Sequence, residues 1–173
     1  MKKEYLKYVL QIAIVIFLGL FVLDKIPFHK EVSKSVSAEI YFDDEKTEET
    51  VIEIKGEKTN YIFGENEEFY GKFYIPQIEK TGREYVNTII EWNEENYQFI
   101  RFNSAGDMII AEEMGIVPYI IINEEMTEFA VLLTDERVIA TSEELYNIIT
   151  KHISWNKEKT SVSINDIETI PKI

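Results

Sequence analysis

The chain has no cysteine, two histidines, two tryptophans, four prolines and seven glycines in 173 residues, and it is poor in positive charge. Each shortage closes a class of chemistry. Without cysteine there is no disulfide, no thiolate metal ligand, no cysteine nucleophile and no lipid-modified cysteine, so an exposed domain must rely on its packed core. His29 and His152 are too few, and too far apart in the chain, for a paired- or triple-histidine metal site. The glycines are scattered and form neither G-x-G-x-x-G nor G-x-x-x-x-G-K, which removes the common nucleotide-binding loops. Lys and Arg number 18 against 32 Asp and Glu, a formal net charge of -14. Such a field repels phosphate backbones, so nucleic acid is excluded as a partner, and it opposes flat contact with anionic headgroups.

What remains is the composition of a folded protein, 45% hydrophobic and 13% aromatic. Between Tyr8 and Leu23 the only polar residue in a sixteen-residue run is Gln11. That run is shorter than the ~20 residues that usually cross a bilayer, but Tyr5, Tyr8 and Phe28 suit the interface and Lys7 and Lys25 can snorkel. Ile12 to Phe21 is apolar all round, unlike a surface helix. Residues 1–28 are therefore predicted to be a transmembrane signal anchor. Lys2, Lys3 and Lys7 before it favour a cytoplasmic N-terminus and an extracytoplasmic domain at the cell membrane. The alternative is secretion after cleavage at Val36-Ser37-Ala38. Ala38 lies fifteen residues beyond Leu23, farther than a signal peptidase site normally sits, so the uncleaved anchor is preferred.

Residues 29–35 read as a short polar tether. Beyond them the apolar period is two for about a hundred residues, with polar turns at short intervals. Strands are predicted over 36–42, 51–55, 59–63, 69–78, 84–92, 97–102, 108–112, 119–122, 129–134 and 138–140, with breaks at Gly56 and Gly64. One helix is predicted over 142–152. Thr141 and Glu144 have the spacing of a capping box, and Leu145, Ile148, Ile149 and His152 fall on one face. The acidic β-rich domain thus covers 36–153, and 154–173 holds a last edge strand over 160–164 and a tail. The fold class expected is mainly β, an antiparallel meander, sandwich or small barrel-like sheet with one helix near the C-terminal end.

Chemistry is harder to find. His152 could serve as a base, but a histidine in the last turn of a helix is already explained by the helix dipole. Asp43-Asp44-Glu45, Glu65 with Glu67 and Glu68, Glu94-Glu95, Glu112-Glu113 and Glu124-Glu125 could supply calcium ligands or a glycosidase pair. None has calcium-loop spacing, and nearly all fall where turns are predicted, where solvated charge keeps β edges apart. No catalytic, cofactor-binding or metal-ligating residue is assigned, and no cofactor is expected. Aromatic residues are dense between Tyr61 and Phe102, and Tyr70, Tyr74 and either Tyr85 or Trp92 could stand together on an outer face. These four form the candidate binding patch.

The expected function is a membrane-anchored, non-catalytic binding module whose partner is a protein or envelope component. The alternatives are an accessory or immunity-type subunit acting through its helix, and a cell-surface hydrolase using His152 or paired carboxylates.

Overall fold

Alternation at residues 69–75 shows how the domain is built. Phe69, Gly71, Phe73 and Ile75 are buried, while Tyr70, Lys72 and Tyr74 point the other way. A strand so patterned has one face for a core and one for its surroundings. The computed structural model describes residues 2–23, 26–61, 67–166, 169–171 and 173. Its strands are β1 (Phe28–Phe42), β2 (Glu45–Asn60), β3 (Glu68–Tyr74), β4 (Val86–Glu91), β5 (Gln98–Ser104), β6 (Asp107–Ile109), β7 (Ile116–Ile122), β8 (Phe129–Leu133) and β9 (Val138–Ala140). Eight of them, β6 set aside, form a closed antiparallel barrel in chain order. β9 returns to β1 where Val138–Ala140 pairs with Glu39–Tyr41. β6 is a short hairpin arm on the upper part of β5.

An eight-stranded barrel is just wide enough for side chains to fill. Ile40, Ile52, Phe69, Phe73, Ile100, Phe102 and Phe129 do so, all fully buried. Its first hairpin turns at Asp43 and Asp44, both with positive φ (54° and 62°), the conformation that matches strand twist in a two-residue turn.

Several expectations change. The stretch 29–35 is no tether but the first half of β1, paired with β2 from Phe28 opposite Asn60 onward. Val32 and Val36 face inward with Ala38 and Ile40; Lys34 shares their side and hides the alternation. Gly56 does not break a strand. It lies inside β2, directly opposite Gly71 of β3. The strand expected over 59–63 is the end of β2, and Phe63, Gly64 and Glu65 lie outside the described residues. The strand expected over 108–112 stops at Ile109, followed by a 3-10 turn (Ala111–Met114) that Gly115 ends at φ 83°. Ala38 is buried within β1, so a cut after it would remove Phe28 to Ala38 from the barrel wall.

The helix α2 (Glu143–His152) and a separate hairpin, β10 (Ile153–Asn156) with β11 (Ser161–Ile164), form an outer layer. With Ile170 from the segment after β11, they bury Leu145, Tyr146, Ile149 and Ile153 against Val117, Ile121, Ala130 and Leu132. This explains the continuous apolar runs of β7 to β9, which are covered on both faces. The capping box is absent. Ser142 caps α2, its Oγ accepting from Leu145 N at 3.2 Å, which puts Leu145 rather than Glu144 third in the helix. Thr141 instead holds the start of β8, its Oγ1 accepting from Phe129 N at 3.0 Å. The expected edge strand over 160–164 pairs with β10 and not with the barrel.

Before the barrel stands α1 (Lys2–Leu23). Among the described residues no helix is long and apolar enough to cross a membrane. The side chains described from Lys7 to Phe21 occupy ~22 Å of helix, against ~30 Å of hydrocarbon. Asp24 and Lys25 lie outside the described residues. The transmembrane span expected between Tyr8 and Leu23 therefore gives way to a plainer finding, an apolar helix whose described side chains are exposed.

Candidate functional site

The outer wall of the barrel is divided. α2 and the β10–β11 hairpin cover β7 to β9, whereas among the described residues the outward faces of β3, β4 and β5 carry no such layer. Tyr70, Ile89 and Arg101 form one rung of that open wall; Glu91, Phe99 and Tyr119 form the next. The ring of Tyr119 meets Phe99 and Tyr97 edge-on, with centroids 5.6 and 5.4 Å apart. Burial pushes the Tyr97 hydroxyl above its ordinary pKa. Arg101 forms an ion pair with Glu91 on the same wall.

Of the four aromatic residues expected in the patch, Tyr70, Tyr74 and Tyr85 are turned away from the barrel interior. Tyr70 is 45% exposed and its hydroxyl accepts from Asn87 Nδ2 at 3.1 Å. Tyr85 is 56% exposed. Tyr74 is half-buried, its ring packed on Gly82, where a Cβ would come within 2.8 Å. Lys72 stands among them, but its ammonium is already engaged with the carbonyls of Arg83, Glu84 (2.9 Å) and Val86. Partial burial lowers its pKa. Lys72 is thus a clip that holds the approach to β4, Tyr85 included, against β3.

Trp92 is not part of the patch. Val86, Thr88, Ile90 and Trp92 share the inward parity of β4, and Trp92 is 6% exposed. The Nζ of Lys58, itself buried, sits 4.6 Å from its ring centroid, pairs with Glu67 and donates to the Glu124 carbonyl at 3.1 Å. Alternation therefore decides between the two candidates in favour of Tyr85.

Beside the open wall runs a groove of about 680 Å³. Phe99, Arg101 and Tyr119 form its floor, Met108 and Ile110 one side, and Val162 and Ile164 the other. Met108 and Ile110 are both more than half exposed. Sequence reasoning missed it because the walls come from distant segments, the excursion between β6 and β7 and the C-terminal hairpin. The only local signal is the apolar triplet Met108-Ile109-Ile110, which breaks the alternation.

The residues considered for catalysis do not converge. His29 lies on β1 beside Glu57, with Thr59 Oγ1 3.2 Å from its Nδ1. His152 is buried at the end of α2, its Nδ1 3.0 Å from the Asn165 carbonyl. Since a carbonyl only accepts, that nitrogen carries the proton. Glu94 and Glu95, Glu124 and Glu125, and Asp43 and Asp44 occupy turns. Among the described residues no three His, Cys, Asp or Glu side chains come together in a way that could hold a metal ion. No family model, curated protein or solved structure matches this chain, so no activity or partner can be carried over from a relative.

Proposed function

We propose that this chain is a membrane-anchored, non-catalytic binding domain that meets a protein or envelope partner through the outer wall of β3 to β5. One observation carries the reading: this wall keeps Tyr70 and Tyr85 exposed on a rigid barrel while the opposite wall is covered. Tyrosines bring large contact area at low entropic cost and are enriched where proteins bind. The filled interior supports the same view, because a ligand must then be met on the outside.

Anchoring is supported by α1, whose described side chains are apolar almost throughout and exposed. An exposed surface of this kind is stable in lipid or against another protein, not in water. The domain would then be held beside the membrane that takes up α1. The test is a quantitative pull-down of the full chain from detergent-solubilised envelopes, beside the Tyr70→Ala/Tyr74→Ala variant. The expected outcome is loss of the partners enriched by the parent. An unchanged set of partners would show that the site has been put in the wrong place.

The exposed helix also favours a second reading, an accessory subunit that contacts a membrane partner through α1. Replacing residues 2–23 with an unrelated apolar helix of equal length separates the two. Binding retained points to the barrel, and binding lost points to the helix.

A further inference from the structure

We infer that the barrel is seated with its Phe28 and Asn60 end next to the bilayer and its Asp43–Asp44 end away from it, an orientation that rests on the anchored reading of α1. The reason is reach. Residues 24–27 are all that separate Leu23 from Phe28, and the five Cα–Cα steps between them span at most ~18 Å. From Phe28, β1 runs 15 residues to Phe42 before it turns, a strand path of ~50 Å at ~3.3 Å per residue. Wherever the helix is held, Phe28 and its ladder partner Asn60 stay close to it, and the first hairpin turn lies a strand length away.

In an up-and-down barrel alternate turns share an end. The turns over 93–97 and 123–128 belong to the anchor end: Lys58, two residues from Asn60, donates to the Glu124 carbonyl at 3.1 Å, and Lys34 donates to that of Glu125. Tyr74 and Tyr85 lie toward the opposite end, with the Asp43–Asp44 and Ser104–Asp107 turns. The anchor end exposes Glu94, Glu95, Glu125 and Glu128, which anionic headgroups repel. Rolling the barrel onto β2 would instead press Glu49, Glu53 and Glu57 onto the same surface. The part of the aromatic wall formed by Tyr74 and Tyr85 is therefore the part that takes a partner from the aqueous side.

The absence of cysteine makes the test direct. Glu94→Cys labels the anchor end and Glu45→Cys the far end, both at exposed positions. Each full-length variant is labelled with a donor dye and reconstituted in vesicles of phosphatidylcholine and phosphatidylglycerol that carry an acceptor-labelled lipid. Flotation in a density gradient and energy transfer are read on the same sample. The expected result is co-flotation of both variants, with transfer from position 94 about twofold or more above that from position 45, given ~35–40 Å between the ends once a ~50 Å strand is tilted by ~35–45°. Co-flotation with equal or reversed transfer overturns the seating and leaves the anchor intact. Failure to float overturns the anchored reading, and the seating with it.

Discussion

Gly56 and Gly71 offer the sharpest test of the barrel wall. They face each other across β2 and β3 with the ring of Phe69 over Gly56. A Cβ on Gly71 would lie 2.4 Å from the Lys55 carbonyl oxygen and 2.5 Å from Gly56 Cα. One on Gly56 would lie 2.4 Å from the Tyr70 carbonyl oxygen and 2.7 Å from Gly71 Cα. Every one of these atoms is backbone and cannot rotate away. Carbon contacts are comfortable at ~3.5–4.0 Å, so the ladder must part by about 1 Å. In a closed barrel that displacement is passed on to β1 and β4.

Overpacking of this kind costs about 1–3 kcal/mol. The smaller unfolded-state entropy of alanine returns about 0.4–1 kcal/mol of that. We expect Gly71→Ala and Gly56→Ala each to destabilise the domain by about 1–2 kcal/mol. At ~2–4 °C per kcal/mol for a chain of this size, Tm falls by about 2–8 °C. The two effects should not add. Once the first alanine has parted the ladder the second enters an opened rung, so the double variant falls short of the sum by at least ~0.5 kcal/mol. Denaturant and thermal unfolding of the full chain in detergent, followed by tryptophan fluorescence and circular dichroism, measures all three. Gly19→Ala, with nothing within 4 Å, is the control. Single variants within ~0.5 kcal/mol of the parent, or strict additivity, would refute the close approach of the strands.

The position of Ala38 separates two truncations. Removal of residues 1–27 should leave the β signal in circular dichroism intact, whereas removal of 1–38 strips the partner from Thr50–Asn60 and should abolish it. A folded, soluble 39–173 fragment would sink this view and revive cleavage at Ala38. At alkaline pH the stacked pair Tyr41 and Tyr146 should weaken the fold. Burial, with Glu39 beside it, raises Tyr41 to about 12, and the bond to Asp44, with burial, raises Tyr146 to about 12, both from an ordinary 10.0. Because the folded values lie above the unfolded one, this stability is complete below pH ~10 and is lost as pH rises through ~12, at most ~2–3 kcal/mol for each tyrosine. Tyr146→Phe should flatten that loss in urea titrations between pH 9 and 12, and an unchanged slope would count against it.

What the sequence disclosed follows the range of the interactions involved. Residues 69–75 were legible because strict alternation against a core needs only neighbouring residues, and 138–140 because a short apolar run between polar turns reads as a buried strand. α2 was legible from its apolar face, although its cap was misplaced by one residue, since Thr141 and Ser142 are both good caps and only the bond from Phe129 N decides between them. Gly56 was misread as a break because its role is set by Gly71, fifteen residues away. The first half of β1 was misread because Lys34 occupies an inward position and sends its amine to the turn at Glu125. Closure through β1 and β9, and the groove beside β5, join segments far apart in the chain, and no local period records them. At the candidate site parity alone was enough to separate Tyr85 from Trp92, once β4 was known to begin at Val86.

The way the barrel is filled bears on where function can reside. Eight strands close around Phe69, Phe73, Phe102, Phe129 and a set of isoleucines, all without solvent exposure. The charged group buried near the Phe28 end, Lys58, has its partners in Glu67, the Glu124 carbonyl and the Trp92 ring. A lysine held that way secures the turns at the mouth and leaves its ammonium little to offer a ligand. Container-like uses of a small barrel require a cavity that these side chains occupy. The surfaces with apolar area to contribute are then outside: α1, the tyrosine wall of β3 to β5, and the groove flanked by Met108 and Ile110. The last two adjoin through Phe99, Arg101 and Tyr119, so a partner laid across the wall would reach both. That continuity makes Tyr70 and Tyr74, rather than any carboxylate turn, the first residues to substitute.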